Sequence, residues 1–183
     1  MVERVFRHPA IAGGEAVTDY YAALPTCMGW IGVLASERGI RRLALPRPSP
    51  QRAMEALEAD VRGTEMAPAR FEGLRRELEA CFTGDAPEFL QELDLVGAPP
   101  FFLKAWAACR SIPRGETRSY AWLAVQAGST GAVRAAGQAM AHNPIPIIIP
   151  CHRVIASNGD LCGYGGGLDM KQRLLDLERA PRL

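Results

Sequence analysis

The sequence has little lysine and no pattern that would organise its cysteines. Lys104 and Lys171 are the only lysines among 21 basic residues. Five cysteines at irregular spacing, with no CxxC pair, argue against both a disulfide framework and a zinc ribbon. No apolar run reaches the roughly 18 residues of a membrane span, and the first residues do not resemble a signal peptide. These absences predict a globular protein of the reducing cytoplasm, or of the nucleus in a eukaryote, without a membrane partner.

The composition suits one large domain or two small ones, with 183 residues, 48% hydrophobic and 22% charged. The net charge of +1 hides an asymmetry. Residues 1–100 carry 11 basic and 15 acidic side chains, whereas residues 101–183 carry 10 and 5. A basic C-terminal half suits a polyanionic partner such as DNA, although such an imbalance also arises without one.

The clearest chemical pattern lies between Asn143 and Ile155, where an apolar run bracketed by prolines ends in Cys151, His152 and Arg153. Proline restricts φ and donates no hydrogen bond, so this run predicts a stiff, extended, buried rod that delivers Cys151 to one place. A core cysteine would suit the isoleucines but does not account for the basic pair that follows. A thiol beside histidine and arginine predicts a nucleophile held as thiolate.

The N-terminal half predicts a small α/β unit with no visible chemistry. Two strands, 29–35 and 40–45, form a hairpin, and helical spacing follows over 51–62 and 71–82. A glycine- and proline-rich stretch at 97–100 predicts a boundary between domains 1–96 and 97–183. His8 and Cys27 are too far apart in sequence to argue for a metal site, and we expect none.

The C-terminal half predicts a buried helix at 101–109, then two short helices, 119–127 and 132–141, joined by a glycine-bearing turn. This is the layout of a helix-turn-helix. Small residues around Arg134 fit either approach to DNA or tight helix packing, and the pattern alone does not separate the two. A glycine-rich loop at 163–167 leads into a last helix at 168–179, without the spacing of a phosphate-binding loop.

The segment Pro150-Cys151-His152-Arg153-Val154, preceded by Asn143-Pro144, resembles the active site of the methylated-DNA–protein-cysteine methyltransferases, or O6-alkylguanine-DNA alkyltransferases. The resemblance extends from about Gly97 to Glu178. It implies a ribonuclease-H-like α/β N-terminal domain and a mainly α, winged-helix-like C-terminal domain. It also implies a monomer without cofactor that binds double-stranded DNA and transfers an alkyl group irreversibly, in one turnover. The donor would be O6-alkylguanine, or less well O4-alkylthymine, and the acceptor Cys151.

The same resemblance implies roles for individual residues. Cys151 would attack the alkyl carbon, with His152 activating it through a water and Glu178 orienting the imidazole. Asn143 would brace the turn before the active site, and Tyr120 would donate a proton to the guanine. The remaining positions matched to the family are Arg134, Ala135, Gly137 and again Tyr120 for the DNA minor groove, and Tyr164, Gly165, Gly166 and Lys171 for the substrate pocket.

In the family, the arginine matched by Arg134 fills the space of a guanine that has been flipped out of the helix. Two residues depart from the pattern, since Gln138 replaces a glycine and Ala141 replaces an arginine found in some relatives. Three alternatives stay open. The chain could sense lesions without repairing them, or act as a Cys-His-Glu hydrolase. Glu178 and Lys171 could also be solvated surface charges.

Overall fold

The computed structural model describes residues 19–57 and 64–179. Within these ranges a four-stranded sheet and two helices precede a largely helical second half. The bounds are β1 Tyr20–Thr26, β2 Gly29–Ser36, β3 Gly39–Leu43, α1 Pro50–Glu55, β4 Glu65–Met66, α2 Glu72–Phe82, α3 Pro100–Arg110, β5 Arg118–Ser119, α4 Tyr120–Gln126, α5 Val133–Ala141, β6 Val154–Ile155 and α6 Leu168–Arg179.

The sheet runs in the order β3-β2-β1-β4, with β1, β2 and β3 antiparallel and β4 parallel to β1. The predicted hairpin is confirmed as β2 and β3. Along β1, buried residues alternate with more exposed ones, as expected for a strand with one covered face. From Ile31 to Ser36 every residue of β2 is buried, because α1 packs on the face opposite the main core.

The two N-terminal helices follow from their caps and apolar faces. The Ser49 hydroxyl accepts a hydrogen bond from the backbone N–H of Arg52, and Pro50 occupies the first turn of α1. This helix ends at Glu55, so the prediction of a helix from 51 was wrong for residues 56 and 57, while 58–62 lie outside the described residues. The prediction for 71–82 is confirmed by α2, which buries Leu74 and Leu78.

The predicted helix-turn-helix layout is present as α4, a glycine-bearing turn and α5. Helix α3 lies against both, and the Trp106 indole N–H donates to the Ala139 carbonyl of α5 at 2.8 Å. The hydroxyl of Ser119 caps α4 by accepting from the backbone N–H of Trp122. The short parallel pairing of β5 with β6 was not predicted, because two-residue strands leave no periodic pattern.

The N-terminal sheet and the C-terminal helices share one continuous apolar core. The backbone N–H of Leu43, at the end of β3, donates to the Pro144 carbonyl at 2.9 Å. In the connecting stretch, the buried carboxylate of Asp94 accepts from Ser36 of β2 and from Arg38 of the following turn. The domain boundary at residue 96 therefore stays a prediction. Among the described residues, no helix is long and apolar enough to cross a membrane.

The close approach of α1 to β2 depends on a glycine. A Cβ on Gly32 would lie 2.4 Å from the Ala53 carbonyl oxygen and 2.9 Å from Leu57 Cγ. We expect Gly32→Ala to lower the free energy of unfolding by about 2–3 kcal/mol, because α1 must move away from the sheet. Gly73→Ala is the matched control, since nothing lies within 4 Å of its Cβ and it sits in α2. Urea denaturation of both variants measures the difference; equal stabilities would contradict this packing.

Candidate active site

Cys151 lies at the start of a short 3-10 turn, Cys151–Arg153, directly before β6. The residue is buried, with 7% of its surface exposed. Its backbone N–H donates to the Ile149 carbonyl at 2.7 Å. Cys151 and His152 thus follow one another on a tight turn, so the alternation of an extended strand does not force their side chains to opposite sides.

The segment before Cys151 is a compact turn, and the prediction of an extended rod was wrong. Ile147 has a positive φ of 77°, and the backbone N–H of Ile149 donates to the Ile145 carbonyl at 2.9 Å. Proline restricts only its own φ and that of the preceding residue, so the intervening isoleucines remain able to reverse the chain. A positive φ at a β-branched residue is strained and persists only where its surroundings hold it.

Asn143 supplies part of that restraint. Its side-chain amide donates to the Ile149 carbonyl at 2.8 Å, and its Oδ1 accepts from the backbone N–H of Ile145 at 3.0 Å. A single side chain therefore joins both ends of the turn that leads to Cys151. This geometry matches the bracing role expected for Asn143.

Behind Cys151, His152 and Arg153 share one carboxylate, that of Glu178 on α6. The His152 Nε2 lies 2.8 Å from Glu178 Oε1, and Arg153 donates from Nε and Nη2 to the same carboxylate. The remaining Arg153 donor, Nη1, reaches the Ile112 carbonyl at 2.7 Å. Glu178 is buried, so the alternative of a solvated surface charge is wrong.

The ionisation of these groups follows from burial. Burial raises the pKa of Cys151, and a hydrogen bond from Asn143 and the charge of Lys171 offset this only in part. The resting group is therefore a neutral thiol, contrary to the predicted thiolate. Burial lowers the pKa of His152 despite Glu178, so the imidazole is neutral. Burial alone would raise the pKa of Glu178, but hydrogen bonds from His152 and Arg153 lower it to about 2.

This arrangement gives the residue after Cys151 a free basic atom. Because Nε2 faces the carboxylate, the neutral ring carries its proton there, which leaves Nδ1 as the basic atom. His152 Nδ1 is buried and has no hydrogen-bond partner among the described residues. An imidazole in this state can accept a proton at Nδ1, and Glu178 would stabilise the resulting imidazolium.

Cys151 opens onto a cavity of about 340 Å³. The predicted residues Tyr120, Asn143, Tyr164 and Gly165 also line it. Sequence reasoning assigned Gly137 to the DNA interface, and it lines the cavity as well. The full lining is Leu45, Tyr120, Gly137, Met140, Ala141, Asn143, Pro146, Cys151, Gly163, Tyr164 and Gly165. A space of this size suits a single small ligand such as a nucleobase.

Gly166 and Lys171, predicted for the pocket, are not among the lining residues. Both instead contact residues that line the cavity or lie next to its lining. A Cβ on Gly166 would lie 3.0 Å from Leu45 Cδ1. Lys171 is fully buried, which excludes a solvated role, and its Nζ donates to the carbonyls of Val154 and Cys162. The lysine thus ties the active-site strand to the loop that carries Tyr164.

Helix α5 leaves one polar side facing solvent beside the cavity. Arg134 and Gln138 are exposed and Ala135 is half-buried, whereas Ala136 and Ala139 are buried. Arg134 has no hydrogen bond or ion pair with any other described residue. Gly137 has no heavy atom within 4 Å of a Cβ position, so the surface there is open. The small residues therefore pack closely on the buried side of α5, and on its exposed side they leave open space.

The other four cysteines lack this setting, since Cys151 is the one cysteine that lines the cavity within the described ranges. Burial raises the pKa of Cys81 to about 11 and that of Cys109 well above its usual value. Cys27 is exposed, and His8, the other half of the rejected metal site, lies outside the described residues.

Sequence reasoning missed two contributors. Arg153 was noted only as a cation near the thiol, but it shares Glu178 with His152. Its position next to His152 was a usable signal, because a buried carboxylate needs a charged partner and an arginine side chain is always protonated. Leu45 lines the cavity from the N-terminal half, and no local pattern pointed to it.

The fold and site define a protein that combines a buried cysteine, histidine and glutamate with a helix-turn-helix. Residues 100–180 match the family model described as "6-O-methylguanine DNA methyltransferase, DNA binding domain". A methylated-DNA–protein-cysteine methyltransferase of Methanosarcina acetivorans is 38% identical over 159 residues, 87% of this chain and 97% of the relative. One from Mycolicibacterium paratuberculosis is 54% identical over 112 residues, 61% of this chain and 67% of the relative.

Solved structures of the same family resemble this chain over most of its length. The O6-methylguanine methyltransferase of Mycobacterium tuberculosis superposes with a TM-score of 0.72 at 38% identity, covering 90% of this chain and 96% of that one. The M. tuberculosis protein in complex with DNA gives a TM-score of 0.74, covering 87% and 92%. The chain belongs to the methylated-DNA–protein-cysteine methyltransferase family.

Proposed function

We propose that this protein directly reverses alkylation damage in DNA by taking the alkyl group of O6-alkylguanine onto Cys151. The observation that carries the proposal is the position of Cys151, which opens onto the cavity and has the His152–Glu178 pair behind it. Relatives that match most of the chain bear the name of this activity. O4-alkylthymine would be a poorer donor.

The reaction follows from the charges of the site. The thiol proton of Cys151 passes to His152 Nδ1, through a bridging water as the family resemblance implies, and Glu178 stabilises the imidazolium. The sulfur then attacks the alkyl carbon; the S–C bond forms as the C–O6 bond breaks, and its electron pair goes to the guanine. Tyr120 lines the cavity and donates a proton to the leaving base, and the proton taken up by His152 is returned through water to restore the tyrosine. Its own pKa is raised to about 12, chiefly by burial, so it is a protonated donor at neutral pH.

The product is a thioether, which water does not cleave. No group that lines the cavity would reverse the transfer, so each molecule reacts once. No cofactor enters this scheme, because substrate and protein together supply the alkyl group, the nucleophile and the proton.

The substrate base must leave the DNA stack, because O6 lies within the base pair and Cys151 is buried. We propose that α5 enters the minor groove and that Arg134 occupies the space of the flipped guanine. Its exposed, unpaired guanidinium at the first turn of α5 supports this role, and so does the open surface at Gly137. Ala135 is small enough to let the backbone approach the groove.

The proposal also covers the oligomeric state, the cellular compartment and the fold of each domain. We propose that the protein acts as a monomer in the compartment that holds the DNA, which is the cytoplasm or, in a eukaryote, the nucleus. The strand order β3-β2-β1-β4 supports a ribonuclease-H-like N-terminal domain for residues 1–96. The helix-turn-helix supports a winged-helix-like domain for residues 97–183.

The test is incubation with an excess of duplex carrying a single O6-methylguanine. We expect the intact mass of the protein to rise by one methyl group, unmodified guanine to appear in equal amount, and the reaction to stop there. Cys151→Ser should transfer nothing. Lesion binding without transfer by the unaltered protein would favour a sensing role, and sustained turnover of an ester would favour a hydrolase.

A further inference from the structure

The wall of the cavity is not built from the DNA-binding half alone. Ten of its eleven lining residues lie between positions 120 and 165, and the eleventh is Leu45. Leu45 follows β3 and belongs to the N-terminal half, to which the sequence assigned no chemistry. Its side chain is buried, with 7% of its surface exposed.

Leu45 lies against the glycine-rich loop that carries Tyr164. Its Cδ1 would be 3.0 Å from a Cβ on Gly166. Gly163 and Gly165 line the cavity without side chains, and nothing else lies within 4 Å of their Cβ positions. Beside this loop, the aliphatic surface that faces a ligand therefore comes from Leu45, next to the ring of Tyr164.

The backbone around Leu45 is held at both ends. Before it, the N–H of Leu43 donates to the Pro144 carbonyl at 2.9 Å, in the turn that leads to Cys151. After it, Arg47 exchanges two backbone hydrogen bonds with Trp30, at 2.7 and 2.8 Å. A side chain on such a segment cannot retreat easily when a larger group enters the cavity.

We propose that Leu45 is a specificity-determining residue that limits the size of the alkyl group the site accepts. This inference rests on the proposed function. The methyl group of a small lesion needs little room beyond the base, whereas a larger group must occupy the apolar space that Leu45 bounds. The N-terminal half would thus set substrate range, in addition to supporting the fold.

The test compares single-turnover rates for O6-methylguanine and O6-benzylguanine placed in the same duplex. We expect Leu45→Ala to raise the benzyl-to-methyl rate ratio by about tenfold and Leu45→Phe to lower it by about tenfold. A change of one or a few methylene groups in an apolar pocket produces effects of this size. Rates are taken on the reactive fraction, so partial unfolding of a variant does not alter the ratio.

Two control variants test whether the effect depends on side-chain size at position 45. Leu45→Met conserves volume and should keep the ratio close to that of the unaltered protein. Leu24→Ala creates a comparable cavity in the N-terminal core, away from the site, and should also leave the ratio unchanged. If Leu45→Ala and Leu45→Phe change both rates equally, or neither, Leu45 is a packing residue and the inference is wrong. If the unaltered protein transfers no methyl group, the proposed function itself is wrong.

Discussion

Arg134→Ala should slow methyl transfer from duplex DNA by about 100-fold and leave the reaction with free O6-benzylguanine nearly unchanged. Extruding a base costs a few kcal/mol, and a side chain that fills the vacated stack offsets part of that cost. If Arg134 contributes about 2–3 kcal/mol to base extrusion, its loss corresponds to a rate about 100-fold lower. A free base needs no extrusion. The measurement is the pair of second-order rate constants for each variant.

Two controls separate base flipping from simple charge. Arg52→Ala removes another exposed arginine, from α1 in the N-terminal half, and should leave both rates unchanged. Arg134→Lys keeps the charge but replaces the planar guanidinium, so it should recover nonspecific affinity better than it recovers the rate. If Arg134→Ala slows both substrates equally, the residue supports the fold or the thiol, and its role in flipping is excluded.

Glu178→Gln should slow alkylation of Cys151 by about 100-fold at neutral pH while changing affinity for lesion DNA little. The amide no longer stabilises the imidazolium that forms when His152 takes the thiol proton, which weakens the base. The apparent pKa of the Cys151 thiol should therefore rise, so the alkylation rate should increase only at higher pH. Asp176→Asn, an exposed carboxylate on the same helix, is the matched control.

The same residue predicts a difference in acid stability. The folded-state pKa of Glu178 is about 2, below its ordinary value of 4.5, so its ionised form stabilises the native state above about pH 4.5. That contribution is lost as the pH falls from 4.5 towards 2. Glu178→Gln should lack this part of the acid transition, as followed by the urea midpoint against pH. An unchanged rate profile and an unchanged acid transition would together exclude the paired carboxylate.

Sequence patterns predicted the elements with strong local signals. Helix α6 is confirmed at the predicted bounds, Leu168 to Arg179, and α2 and the β2–β3 hairpin are confirmed as well. The helix-turn-helix was recognisable from two short apolar stripes and the glycines between them. Among the site residues, Cys151 and His152 were indicated by their own pattern, and Glu178 by the family resemblance alone. In the structure Glu178 lies 2.8 Å from His152.

The features that prediction missed depend on packing between distant parts of the chain. The turn before Cys151 requires the Asn143 side chain to bridge both ends, and proline spacing alone suggested an extended rod instead. The neutral resting thiol follows from burial, which residue neighbours in sequence do not reveal. Leu45 reaches the cavity only because β3 lies against the Pro144 turn, a contact across about 100 residues of sequence.

The most direct test of the account is the location of the transferred group. After complete reaction with a methyl-labelled O6-methylguanine duplex, the protein is digested and each cysteine-containing peptide is sequenced by mass spectrometry. We expect the label on Cys151 alone, because it is the cysteine that combines the cavity with the His152–Glu178 pair. Label on Cys27, Cys81, Cys109 or Cys162 would contradict the account.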